Sequence, residues 1–427
     1  MAAFVRVSGP PNSNYLVGYP GISATLVSAI QSSFGRLVFL WTCSSGYTGA
    51  ERPRIEGKVE IRPSVGVSAP VGISLVTIAL YRRETIHPAA DSVLKTRLAA
   101  PRKEITDIVG KEMLLFRCPV GREFENVLSM DLPFILFIPF GRGRDEQARR
   151  VPPASIQLAS RTAETYYELV VTVQQGHQEQ KKYAFPVPIE RYDTLSTFGM
   201  YNRPQSSEMV TDHLVTLGIS LPRWSYGPLD PISVYIRLSP NSDWMAKAKR
   251  VTIQKIVIGI EEHITFNHEG DEPSTKINKI AKQVQAVGQK LPEGGYNTDL
   301  GLIFPAKDTR DSDGIVPRGK PAFPMYAVTS FTTTGSLYKI EFYLTVKVHL
   351  TSARDITHRQ PIIVCPLDHT GCKEEMEAIE QAAKDAAHVN TDNPMLPAQV
   401  IVRPNDPNAL HALGMTMVGK QRKLLIE

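Results

Sequence analysis

Two short clusters hold the side chains best suited to chemistry. His263, His268, Glu269, Asp271 and Glu272 offer imidazole and carboxylate groups that suit zinc or manganese, and Cys365, His369 and Cys372 offer thiolate and imidazole groups. Neither cluster has the spacing of a tetrahedral site, since the first fixes no interval between donors and the second supplies three ligands without a fourth. The first is expected to be a strand end followed by an acidic loop, and the second a turn between Pro366 and Gly371 ahead of a helix. No dinucleotide loop, phosphate loop, nucleophile elbow, zincin helix or kinase signature occurs, and Gly141-Arg142-Gly143 runs into charged residues instead of cradling a phosphate. The expected protein is not an enzyme and carries neither cofactor nor metal.

The basic residues say more. Lys247, Lys249, Arg250 and Lys255 lie close together, and Lys276, Lys279, Lys282 and Lys290 follow with no acidic residue between them, whereas Arg142, Arg144, Arg149 and Arg150 read as a solvated loop. Such patches attract phosphorylated tails or anionic lipid headgroups, the latter at about 1 kcal/mol per Lys or Arg near the surface. Lys276, Lys279, Lys282, Lys290, Lys247, Lys249 and Arg250 are therefore the candidate membrane- or anion-binding residues. Ile277, Ile280, Val284, Val287 and Leu291 fall at i, i+3, i+7, i+10 and i+14, which predicts a basic amphipathic helix over 276–291. Its apolar stripe would pack on the protein's own sheet or lie in a membrane interface.

Composition bounds the partners and the compartment. With 48 basic and 43 acidic residues the net charge is +5 over 427 residues, too dilute to imply a nucleic-acid partner. Four cysteines without paired short spacing fit a reducing compartment, so a cytoplasmic protein is expected. Arg6 and Gly9-Pro10-Pro11 interrupt the N-terminus before an apolar run forms, so no secretory signal is expected. The most apolar stretches, 37–43, 73–81 and 132–140, fall short of the roughly 20 residues that a membrane-spanning helix needs.

The elements that would position these residues are strands. Ile340, Phe342, Leu344, Val346, Val348 and Leu350 alternate with Glu341, Tyr343, Thr345, Lys347 and His349, and Ile232, Val234, Ile236 and Leu238 alternate with Ser233, Tyr235 and Arg237. Between Ile253 and Ile256 the apolar phase slips across Gln254-Lys255, which predicts a bulge in a strand running over 251–264. With 32 prolines and 29 glycines punctuating such runs, the class is all-β with antiparallel strands, in a sandwich or barrel. The length suggests two domains. Proline-rich, poorly alternating sequence over 186–207 marks the boundary, a second irregular region over 267–324 contains the basic helix, and Ala/Glu-rich sequence over 373–389 predicts a C-terminal helix before a tail with a few docked segments.

Three segments in order resemble the arrestin family, in particular the fungal arrestin-domain (α-arrestin-like) proteins. The first is Leu132-Pro133-Phe134 through Pro139, then Pro152-Pro153-Ala154-Ser155-Ile156, then Tyr166-Tyr167-Glu168-Leu169. The second is Leu217 to Pro222, followed by Tyr226-Gly227-Pro228 and the Ile232 strand; the third is Leu337 to Leu350 followed by Gln360-Pro361-Ile362. Leu132, Pro133, Phe134, Pro139, Pro152, Pro153, Tyr167, Pro222, Tyr226 and Gly227 are the candidate core and family-motif residues. The resemblance implies two antiparallel immunoglobulin-like β-sandwich domains plus a C-terminal helix and tail. Divided accordingly, 1–188 is an N-terminal sandwich, 189–209 a linker, 210–368 a C-terminal sandwich with its insertion at 267–324, and 369–427 helix and flexible tail.

By the same resemblance the chain would be a trafficking adaptor. It would bind cytosolic tails of membrane transporters or receptors at the plasma membrane or endosomes, and couple them to ubiquitination and endocytosis through a HECT-type ubiquitin ligase. The family recruits that ligase through Pro-Pro-x-Tyr motifs, and none occurs here: Pro152-Pro153 is followed by Ala154-Ser155, and Phe323-Pro324-Met325-Tyr326 sits at the start of an expected strand. Direct recruitment is therefore not expected, because a WW domain reads an accessible extended segment. The alternative is a retromer-like structural subunit that bridges larger coat proteins.

Overall fold

The computed structural model describes residues 3–8, 22–24, 54–63, 70–87, 103–138, 153–158, 162–187, 189–191, 203–211, 213–304, 330–365, 367, 369, 370, 373, 396, 398–404, 406, 415–418 and 421–424. The predicted C-terminal helix beyond Lys373, together with Pro139, Pro152, Cys372 and 323–326, lies outside them.

Alternation builds the first sandwich. One sheet runs β1 (Ala3–Ser8), β3 (Arg54–Pro63), β8 (Ser129–Phe137), β23 (Val400–Val402). The facing sheet runs β11 (Lys181–Pro186), β10 (Ala163–Gln174), β5 (Leu75–Ile86), β6 (Lys103–Arg117), with β9 (Ile156–Gln157) beside β10. Val59, Ile61, Leu132 and Phe134 from the one meet Val76, Ile78, Tyr167 and Leu169 from the other in a single buried cluster. Short pairs of β2 (Ile22–Ala24) with β12 (Ile189–Arg191) and of β4 (Val71–Ile73) with β7 (Glu125–Val127) complete it. The expected tail with docked segments is realised at β23, which joins the edge of β8; Val402 is buried there and Arg403 Nε reaches the buried Glu125 at 2.6 Å. A last hairpin pairs β24 (Met415–Val418) with β25 (Gln421–Leu424).

In the second sandwich one sheet runs β13 (Gln205–Thr211), β14 (Val215–Leu221), β16 (Pro231–Pro240), β19 (Tyr296–Ile303). The other runs β15 (Ser225–Tyr226), β22 (Ile356–Val364), β21 (Tyr338–Thr351), β17 (Thr252–Phe266), β18 (Ser274–Lys290), with β20 (Thr333–Thr334) beside β21. Leu217, Ile219, Val234 and Ile236 face Ile256, Ile258, Leu344 and Val346 across its core. The predicted bulge is present: the pairing of β17 with both neighbours shifts between Ile253 and Lys255.

The predicted helix over 276–291 is instead a strand. β18 pairs with β17 along its length, and β19 after it joins the opposite sheet beside β16, so the expected irregular region holds two long strands in its described part. Ile277, Ile280, Val284 and Val287 mimicked a helical stripe because the strand carries extra residues where its register with β17 breaks, at Ile280 and at Val287-Gly288. Gly288 takes φ +66, a conformation that strains other residues.

Phe134, fully buried in the first cluster, tests that core. Phe134→Ala is expected to cost about 3–5 kcal/mol, read as a lower denaturation midpoint of the chain; an unchanged midpoint would place Phe134 outside the core.

Candidate functional site

The inward parity of β5 reads Val76, Ile78, Leu80, Arg82, Glu84, Ile86, so the two charged residues continue the face that the apolar ones begin. They end up where the sandwiches meet. Glu84, only 1% exposed, accepts through Oε2 the backbone N–H groups of Ser336 at 2.7 Å and Leu337 at 3.0 Å, while its Oε1 lies 3.4 Å from Arg82 Nε. Arg82 Nη2 also donates to Asp107 at 2.7 Å, its register partner on β6, and to the Ser336 hydroxyl at 3.1 Å. The turn that presents those amides is closed by Gly335 N–H to the Tyr338 carbonyl at 2.8 Å, and a Cβ on Gly335 would lie 2.9 Å from Glu84 Oε2.

Beneath this charge cluster, the Tyr338 and Thr165 hydroxyls share a hydrogen bond of 2.6 Å in the interior. Burial, with the nearby Glu84 charge adding to it, pushes the Tyr338 phenol upward, so it stays protonated. At the rim Lys103 Nζ donates to Asn267 Oδ1 at 2.8 Å. Ile86, Ala154, Ile156, Leu158 and Ala163 of the first sandwich belong to the second one's apolar cluster, so the seam is apolar as well as bonded.

Several of the motif residues that the structure describes anchor strands. Leu132 and Phe134 are fully buried, and Pro133 stands opposite Lys58. The Tyr167 hydroxyl donates to the Pro153 carbonyl at 2.6 Å, tying β10 to the segment that leads into β9. Pro222 is exposed, and the buried Tyr226 hydroxyl bonds the Arg223 carbonyl. Gly227 N–H donates to Asp230 Oδ2 at 2.8 Å, and Arg223 Nη2 reaches that same oxygen at 3.2 Å.

The metal-type residues are apportioned to other work. His263 packs against the Tyr343 ring at 4.6 Å with the planes tilted by 51°, and His268 Nε2 bonds the Gly335 carbonyl at 2.8 Å. Cys365 is buried, with its N–H on the Tyr226 carbonyl. Among the described residues no group of His, Cys, Asp or Glu could hold a metal ion.

The candidate cations separate into two places. Phe266 pairs with Tyr338 at the seam end of the second sandwich, and Thr252 pairs with Thr351 at the other end. The 15 residues of β17 put these ends roughly 50 Å apart. The distal end carries a 3₁₀ turn at Ser242–Trp244 capped by Asn241, then the short helix α1 (Met245–Ala248) anchored by buried Ala248. There Lys247 Nζ lies 4.6 Å over the ring of Trp244, which is 46% exposed, and Lys249 pairs with Glu293. Arg250 adjoins them. Lys290, opposite Thr252, joins the group because Leu291 N–H bonds the Val251 carbonyl at 2.9 Å. Lys276, Lys279 and Lys282 lie along β18 instead, away from the tip. No helix among the described residues is long and apolar enough to cross a membrane.

Residues 211–369 match the family model of the arrestin (or S-antigen) C-terminal domain. The second sandwich is an arrestin C-terminal domain. The match covers less than half of the chain, which is all-β as its alternation predicted, and no curated protein matches it. Within the arrestin domain the matched span runs from the end of β13 past β22. It includes the Ser336-Leu337 turn that grips Glu84, the Tyr226-Gly227 corner and the distal tip. The grip on Glu84 was missed in the sequence, although two charges at the apolar parity of β5 were the available signal.

Glu84→Ala would leave the Ser336 and Leu337 N–H groups without their acceptor and take from Arg82 one of its carboxylates, at a cost of about 3–5 kcal/mol. The expected readout is a lower melting temperature together with faster amide exchange at 335–338; a variant as stable as the parent would show that the seam does not depend on this carboxylate.

Proposed function

We propose that this arrestin-like protein is a non-enzymatic trafficking adaptor of the α-arrestin kind. It binds cytosolic segments of membrane proteins, transporters or receptors, and couples them to ubiquitination and endocytosis. It works in the cytoplasm, peripherally at the plasma membrane or endosomes. The observation that carries this reading is the arrestin C-terminal domain at 211–369, whose buried polar groups are spent on holding the fold. With no Pro-Pro-x-Tyr in the sequence, the HECT-type ligase is reached through a second adaptor instead of directly.

The distal tip supplies the membrane contact. Lys247 lies over the exposed Trp244 there, and Lys249, Arg250 and Lys290 belong to the same end of the sandwich. Cations at about 1 kcal/mol each near an anionic surface, beside an aromatic ring that prefers the headgroup level, give reversible attachment. Asp243 and Glu293 lie in the same region and temper the charge, so attachment should be weak at physiological salt.

Two outcomes are expected. Lys247→Glu, Lys249→Glu and Arg250→Glu together should abolish co-sedimentation with phosphatidylserine vesicles at unchanged melting temperature; retained binding would remove the tip from the membrane role. Proximity labelling of the tagged chain in cells should recover membrane transporters with ubiquitin-ligase subunits, whereas a fixed set of coat proteins without a ligase would favour the retromer-like sorting subunit.

A further inference from the structure

The lysines of β18 have a setting that neither the seam nor the tip explains. β18 closes its sheet: it is hydrogen-bonded to β17 on one side, and among the described residues no strand pairs with its other side. Among those residues the outer edge of this 17-residue strand keeps backbone donors and acceptors unpaired on either side of its bulges at Ile280 and Val287-Gly288.

Register assigns the side chains. Ile256, Ile258 and Ile260 of β17 point into the core, so Val257, Gly259, Glu261 and His263 point outward, and their partners Val284, Lys282, Lys279 and Ile277 share that outer face. The extra residue Ile280 is what keeps Lys279 and Lys282 on one face although they are three apart in sequence. Successive outward positions along the edge thus read apolar, basic, basic, apolar, with Ile277 47% and Val284 51% exposed. Glu261, the carboxylate opposite Lys279, is already held by Arg359 Nε and His263 Nε2, each at 3.4 Å.

We infer that the free edge of β18 is a β-addition site for an acidic, extended segment of a partner protein, with apolar, acidic, acidic and apolar side chains at alternate positions. Main-chain hydrogen bonds to the bare edge would supply the affinity, and alternate side chains the choice of partner. Charge selects the occupant. No acidic residue occurs over 274–290, so a second copy laid along this edge would set lysine against lysine, which opposes pairing. A carboxylate-bearing strand meets the same lysines with the opposite sign. The inference deepens the adaptor reading, on which it rests for the partner being a protein, by naming the chemistry of one captured segment.

The test uses the full chain and short threonine peptides carrying Ile, Glu, Glu and Val at alternate positions, with a control that has Lys in place of both Glu. Fluorescence anisotropy should show the Glu peptide binding and the Lys peptide not binding, and the Glu peptide should slow amide exchange over 276–286. Lys279→Glu with Lys282→Glu should weaken the Glu peptide about tenfold or more and let the Lys peptide bind. The parent's choice between peptides needs no variant, so a folding defect in the double variant would not shield the proposal. Equal binding of both peptides, protection elsewhere in the chain, or no binding would overturn it. So would phosphatidylserine vesicles that need Lys279 and Lys282 while the peptides do not bind. Failure here leaves the adaptor reading to its own proximity-labelling result.

Discussion

A carboxylate taken out of water must be met by donors, and Glu84 is met from both sandwiches at once. Its own strand supplies Arg82, and the turn before β21 supplies the Ser336 and Leu337 amides. Neither half satisfies it alone. The apolar residues around it, Ile86 and Ala163 on one side and Leu337 and Tyr338 on the other, exclude the water that would otherwise replace those bonds. One side chain thereby makes the placement of the second sandwich a condition of the first one's stability, since a buried carboxylate stripped of its donors costs more than the bonds to it contribute on balance.

From that fixed end the rest of the second sandwich extends as a lever. β17 and β21 leave the seam side by side and end at the distal tip, where Trp244 and the lysines lie. β18 runs along the flank between. The proposed membrane contact and the proposed strand-addition edge are thus held at set positions on one sandwich, both away from the seam. Rigidity has a clear source here: Ile256, Ile258 and Ile260 of β17 and Leu344, Val346 and Val348 of β21 are fully buried on the inward face of the sheet. Such a platform suits a protein that must hold two partners in a fixed relation without reacting with either.

Strict alternation made most of this legible in advance. The runs at 232–238 and 340–350 became β16 and β21, and the phase slip at Gln254-Lys255 became a bulge, because a period of two has no other common source. β18 was illegible for the converse reason. Its two register breaks displace Ile280 and Val287 from the two-residue rhythm, and the displaced pattern coincides with a helical one. The lysines that seemed to mark the polar face of a helix are those of a sheet edge, where solvent reaches both faces. At the seam the types of Arg82 and Glu84 were visible, and their parity with Leu80 and Ile86 marked them as inward. Their partners, some 250 residues on, belong to tertiary structure that no local pattern encodes. The proline and tyrosine motifs were read for family likeness, and their work is to tie strands to loops, as Tyr167 does with Pro153.

The claim on which the rest turns is that the seam makes one body of the two sandwiches. Scanning calorimetry of the full chain tests it most directly. Coupling through Glu84 predicts a single transition whose calorimetric and van't Hoff enthalpies agree. Two separate transitions, each with its own enthalpy, would show that the sandwiches unfold independently and would contradict it.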